Sequence, residues 1–244
     1  MSILSNFTLI IFCAHLLGDF YLQSSYLSEK KTADRKYLLI HLLIYAGTLL
    51  IPLLFLFLNG KWVQGTILFV VVLSSHVLID FIKIIFIKRK KQWEIPAFIA
   101  DQLLHLGIVL LLSELCFAND FAALNLFGIS RDLISWCLLI LLIGKPANIL
   151  FKQFFSKYNI VSSNPDEEAT ESGAGALIGN LERILSVIFL HINQIAAIGL
   201  IYTAKSIARF KKIEENKRFA EYYLIGTLYS ILYAVLAYYL VIVL

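Results

Sequence analysis

Apolar residues gather in seven long runs, 4–22, 37–58, 62–87, 96–117, 131–151, 177–204 and 221–244, with polar stretches between them. A bilayer crossing takes about 20 mostly apolar residues, and each run is near or above that length. Within the runs the apolar residues are continuous, as in Leu106–Leu112 (LGIVLLL) and Leu138–Ile143 (LLILLI). Strands of a membrane barrel would alternate apolar and polar positions. Lipid offers backbone polar groups no partner, so continuous runs predict helices. The fold class is therefore all-α, a polytopic transmembrane bundle of about six or seven membrane helices. Residues 1–117 read as a four-helix bundle. Residues 118–176 hold a fifth segment and a polar linker (162–175, SSNPDEEATESGAG), and 177–244 hold C-terminal membrane helices with a basic loop.

Composition agrees: 59% of the chain is apolar and 16% charged, against roughly 45–50% and about 25% in soluble domains. The N-terminal MSILSNFTLIIF has no basic region or small-residue cleavage site and reads as a retained first helix. Cys13, Cys116 and Cys137 sit in or beside apolar runs without CxxC spacing, so neither a disulfide framework nor a thiolate zinc site is expected. There is no phosphate-binding glycine loop, nucleophile elbow or nucleic-acid motif. The expected partners are membrane lipids and a lipid-linked substrate. No nucleic acid is expected, and a protein partner is left open.

Charge sets orientation. Lys30, Lys31, Arg35 and Lys36 lie in 23–36, and Lys88, Arg89, Lys90 and Lys91 lie in 88–95, whereas 59–61 and 118–130 are nearly free of positive charge. Basic loops stay in the cytoplasm, so the N-terminus is outside. Counting onward places 205–220 outside, although it carries Lys205, Arg209, Lys211, Lys212, Lys217 and Arg218. The acidic 152–176, with Asp166, Glu167, Glu168 and Glu171, falls inside. A re-entrant 131–151, ending in Gly144-Lys145-Pro146, would restore the rule.

The candidate chemistry lies in the first four runs. His15 and Asp19, His76 and Asp80, and Asp101 and His105 are spaced i, i+4, which puts each pair on one helix face. Helices one and three run toward the cytoplasm and helix four runs away, so the reversed order of Asp101 and His105 brings all three pairs to one depth. His41 enters at the same level. Asp19, Asp80 and Asp101 should form one layer near the cytoplasmic face, with the histidines about 6 Å deeper at 1.5 Å rise per residue. A central ionisable residue costs about 2.5–3.5 kcal/mol, so such a cluster points to function.

Histidine with carboxylate is a ligand set for zinc, and also for manganese or iron, rather than calcium. The predicted metal ligands are His15, Asp19, His41, His76, Asp80, Asp101 and His105, enough for one or two divalent ions. Hydrogen-bonded pairs that merely join helices are the bland alternative. Lys83 shares the His76–Asp80 face and could hold an anionic group or extend to the interface. With Asp19, Asp80 and Asp101 it makes up the candidate catalytic set. Gln23 continues the His15–Asp19 face, Gln102 points about 100° from Asp101, Glu114 lies at the far end of its helix, and His191 stands apart as a packing residue. Glu182-Arg183, Asn193-Gln194 in mid-helix, Lys205, Ser206 and Arg209 read as topology and lipid contact. The tyrosines of the last run read as packing and interfacial anchors.

The string AHLLGDFYLQS (14–24), then Lys30, His41, SHVLIDFIK (75–83) and DQLLHL (101–106) resembles a bacterial membrane family catalogued as domain of unknown function 3307. The resemblance covers roughly 8–117, with AKSIARF (204–210) similar to the C-terminal region of longer members. It implies a multi-pass protein of the bacterial inner membrane and supplies no activity. The plan of His and Asp in membrane helices is also similar in style to bacterial inner-membrane proteins described as metal-dependent hydrolases. Two function classes follow. One is a metal-dependent hydrolase of a lipid-linked or amphipathic substrate. The other is a metal or proton transporter, or a metal-stabilised scaffold without catalysis. The outer halves of helices one to four hold few polar residues, Thr8 and Ser113 among them, which favours a site open to one side over a path across.

Overall fold

A computed structural model describes residues 4–89, 93–116, 127–158 and 173–243. Most of the linker 162–175, most of the 118–130 loop and Lys90 and Lys91 of the second basic loop lie outside the described residues. Every described element is helical. Six stretches are long and apolar enough to cross a membrane: Arg35–Leu58, Trp62–Lys88, Glu94–Glu114, Arg131–Tyr158, Ala174–His191 and Lys217–Val243. Asn6–Tyr21 and Ile195–Ala208 are shorter apolar helices.

The chain divides into two compact units, Met1–Leu141 and Leu142–Leu244. In the first, α1 (Asn6–Leu16) widens into a π-turn over Leu17–Tyr21, closed by Leu22 N–H to Leu17 O at 2.8 Å. Helix α2 (Ser25–Lys30) is a short connector, and α3 (Arg35–Leu58), α4 (Trp62–Arg89) and α5 (Glu94–Leu110) follow. Side chains cap the starts: Ser5 accepts from Thr8 N–H, Ser24 from Leu27 N–H and Asp34 from Lys36 N–H. Helix α3 ends in a Schellman turn on Gly60, at φ +72°. Gly60 N–H bonds Phe57 O, and Lys61 N–H bonds Leu56 O. Contacts run α1–α3, α3–α4, α4–α5 and α5–α1, a closed ring of four helices. Helix α6 (Arg131–Ile143) is tied to α1 by Arg131, which donates to Leu4 O and Asn6 Oδ1, and by Tyr21 Oη donating to Leu141 O.

In the second unit α7 (Lys145–Phe155), α8 (Ala174–His191), α9 (Ile195–Ala208), α10 (Phe210–Glu215) and α11 (Lys217–Tyr238) follow, with α8 packed on α7, α9 and α11. Two expectations change here. The run 177–204 is not one helix, because α8 ends in a Schellman turn with Asn193 at φ +56°. Asn193 N–H bonds Leu190 O and Gln194 N–H bonds Phe189 O. Asparagine tolerates this left-handed conformation better than most residues. The run 131–151 is also broken, at Gly144. Pro146 has no N–H for Leu142 O, and Tyr233 Oη donates to that carbonyl instead at 3.2 Å. Arg183 Nε donates to Ile143 O at 2.5 Å and Tyr229 Oη to Ala147 O at 2.8 Å. A helix break survives in an apolar span when neighbours satisfy the freed carbonyls in this way.

Candidate metal centre

The ring of α1, α3, α4 and α5 encloses the histidines and aspartates of the membrane helices. His15, His41 and His76 are 0% exposed, Asp80 and Asp101 2%, and His105 3%. The structure gathers all seven candidates. His41 Nε2 and His76 Nε2 face each other at 3.1 Å. Asp19 Oδ1 lies 3.6 Å from the first and 3.5 Å from the second. Asp80 Oδ2 lies 3.2 Å from His41 Nε2 and 3.7 Å from His76 Nε2. A tetrahedral shell with metal–ligand distances of about 2.1 Å has edges of about 3.4 Å. Each carboxylate therefore makes, with the two imidazole nitrogens, a triangle of the size of one face of such a shell. His41, His76 and Asp80 form one group able to hold a metal ion, and His15, Asp19 and His76 form another.

The remaining polar contacts place these donors. The ring of Tyr45 stacks on His76, centroids 3.6 Å apart and 7° from parallel, and its Oη meets His15 Nδ1 at 3.1 Å. Gly18 permits this approach of α1 to α3, since a Cβ there would come within 2.8 Å of Tyr45 Cδ2 and 2.9 Å of Thr48 Oγ1. His15 Nε2 meets Gln102 Oε1 at 3.3 Å, so both its nitrogens are engaged. The Gln102 amide donates to Asp19 Oδ2 at 3.3 Å and Asp101 Oδ2 at 3.0 Å. Gln102 is thus inside the cluster despite its 100° offset. Helix α5 lies between α1 and α4, so two adjacent residues on it both face neighbours of the site. Lysines answer two of the carboxylates: Lys31 Nζ lies 3.0 Å from Asp80 Oδ2 and Lys83 Nζ 2.7 Å from Asp101 Oδ2.

Lys31 and Tyr45 are the residues that sequence reasoning missed. Tyr45 carried a signal, four residues after His41 on the same face. Lys31 carried none, because it belongs to a basic connection; α2 packs on α3 and buries its side chain to 9% exposure. Six buried atoms of the cluster, Asp19 Oδ1, Asp101 Oδ1, His41 Nδ1, His76 Nδ1 and both nitrogens of His105, have no hydrogen-bond partner among the described residues. Asp19 Oδ1 and the Nε2 atoms of His41 and His76 lie within 3.6 Å of one another, the spacing of donors around one cation. At the opposite end of the ring, Ser5 N–H and the Thr8 hydroxyl both donate to Glu114 Oε1. His191 belongs to the second unit, where its Nδ1 meets Tyr238 Oη at 3.4 Å.

No curated protein and no solved structure matches the chain. Residues 7–134, just over half of the chain, match the model of a family described as "Protein of unknown function (DUF3307)", and the chain belongs to that family.

Proposed function

We propose that the protein binds a divalent metal ion, zinc ahead of manganese or iron, inside a bacterial inner-membrane bundle and uses it to hydrolyse an ester or phosphoester of a lipid-linked or amphipathic substrate. One observation carries the metal reading: two imidazole nitrogens 3.1 Å apart, each flanked by carboxylate oxygens, within an apolar span. Asp19 Oδ1 is buried beside both of these nitrogens and has no hydrogen-bond partner among the described residues. The ligands are His41, His76, Asp80 and Asp19, with Gln102 placing Asp19 and His15 placing Gln102.

A bound ion of this class supplies Lewis acidity to a phosphoryl or carbonyl oxygen and acidifies water toward neutrality. The chain supplies the rest. Asp101 Oδ1 is free of hydrogen bonds and lies 3.8 Å from His105 Nδ1, so Asp101 or His105 can take a proton as general base. Lys83, at 18% the most exposed cation of the cluster, can hold the negative charge of a substrate while it neutralises Asp101. Cytoplasmic placement follows from the basic connection 23–36 beside the site. A scaffold reading, in which the ion only braces four helices, is favoured by the complete burial of His41 and His76.

Elemental analysis of the full chain, purified without chelator and reloaded, tests the metal. One stoichiometric ion is expected, lost in Asp80→Ala and His76→Ala, kept in His191→Ala, and released as acid protonates the imidazoles. Absence of metal from the wild-type chain would overturn the reading. Turnover of candidate phospholipids that is unchanged in an Asp19→Ala, Asp101→Ala double variant would sink the hydrolase and leave the scaffold.

A further inference from the structure

The second unit holds a cavity of about 640 Å³ between α7, α8, α9 and α11. That is the size of a small-molecule site, which runs from about 300 to 1,000 Å³. Its wall is aromatic, with Phe151, Phe219, Tyr222, Tyr223 and Tyr229. Its charge is lopsided: Lys152, Arg183, Lys205 and Arg209 line it against Glu182 alone. Lys205 Nζ lies 2.7 Å from Glu182 Oε1, which cancels that pair and leaves three cations.

Arg183 is the unusual one, at 2% exposure in an apolar span. Its Nε goes to Ile143 O, and Nη2 goes to Asn148 Oδ1 at 2.6 Å and Asn180 Oδ1 at 2.8 Å. All of these acceptors are neutral, and no carboxylate lies within ion-pair distance of Arg183 among the described residues. Nη1 has only a 3.4 Å contact to Ser230 Oγ. Gly179 leaves room for it, since a Cβ there would lie 3.2 Å from Nη1. The site occupies the start of α8, the end of α9 and the start of α11. Arg183 lies nine residues into α8, about 14 Å along the axis.

We infer that this cavity binds an anionic amphiphile, its phosphate or phosphodiester headgroup held by Arg183 and Arg209 and its apolar chain against the aromatic wall. Arginine forks match phosphate oxygens in pairs. A lipid anion would supply the negative charge that the guanidinium lacks. This site stands independently of the metal centre.

The test titrates the full chain in detergent with dioctanoyl phosphatidate, dioctanoyl phosphatidylcholine and inorganic phosphate, read by calorimetry. Saturable 1:1 binding of the phosphatidate is expected, at least tenfold tighter than either of the others. Gly175→Phe sets a ring at the cavity wall, where Gly175 lines the cavity and an added Cβ meets no atom within 4 Å. It and Arg209→Gln should each weaken phosphatidate at least tenfold while the unfolding midpoint stays within a few degrees. Arg183→Lys should also weaken it, but Arg183 braces the break at Gly144, so the first two variants decide. Equal affinity for the two lipids, equal affinity for inorganic phosphate, or binding untouched by Gly175→Phe would each overturn the assignment.

Discussion

Three carboxylates buried in one membrane bundle repel each other, and the chain answers two of them with lysine. The Lys31–Asp80 pair has 9% and 3% side-chain exposure. Removing one partner of such a pair strands the other charge, at about 3–5 kcal/mol. Asp80 Oδ2 faces His41 and His76 as well as Lys31, so a cation bound by the histidines would also neutralise it. Lys31→Met should therefore lose about 3 kcal/mol of stability in chelator and recover most of it with zinc, as followed by thermal unfolding in detergent. An equal loss with and without zinc would show that Lys31 only braces helices and that Asp80 is no ligand. The three His–Asp pairs were legible in the sequence because i, i+4 spacing depends only on helical geometry. Lys31 and the reach of Gln102 were not, since they depend on how α2 folds back and on where α5 sits in the ring.

The elements carry their own irregularities at the points that matter. The π-turn at Leu17–Tyr21 contains Asp19, and inserted residues of this kind re-aim side chains at functional sites. Long apolar runs revealed the helices but not their breaks, because hydropathy averages over a window and a Schellman turn on Asn193 hides in one residue. Gly144-Lys145-Pro146 stood out only as the end of a re-entrant segment, and the repair of the break there by Tyr229, Tyr233 and Arg183 comes from helices far along the chain. Close packing gives a sharper test. Gly18→Ala forces its Cβ onto Tyr45, which is itself 0% exposed and stacked on His76. It should destabilise the chain by about 1–3 kcal/mol and weaken zinc binding. Gly47→Ala, whose Cβ meets nothing within 4 Å, should be neutral or stabilising by up to about 1 kcal/mol. Similar unfolding midpoints for the two variants would show that α1 and α3 do not need this approach.

At the scale of the whole molecule the break at Asn193 changes the count of crossings. One helix over 177–204 leaves the basic residues 205–218 outside, against the charge rule. Two helices, α8 out and α9 back, would return that segment to the cytoplasm and would let Arg131–Tyr158 cross once. Helix α9 has 14 residues and spans about 21 Å, short of the roughly 30 Å hydrocarbon core. Its basic C-cap, Arg209, can extend to the headgroups to make up part of the difference. On that count the basic connection of the second unit obeys the charge rule. Single cysteines, in a background lacking the three native ones, test this with an impermeant thiol reagent on intact cells. Lys36→Cys, Lys88→Cys and Lys211→Cys should be protected until the membrane is opened. Lys61→Cys and Gln194→Cys should label from outside. Labelling of Lys211→Cys in intact cells would mean that α8 and α9 together cross only once, while labelling of Lys36→Cys would reverse the bundle and turn the metal centre away from the cytoplasm.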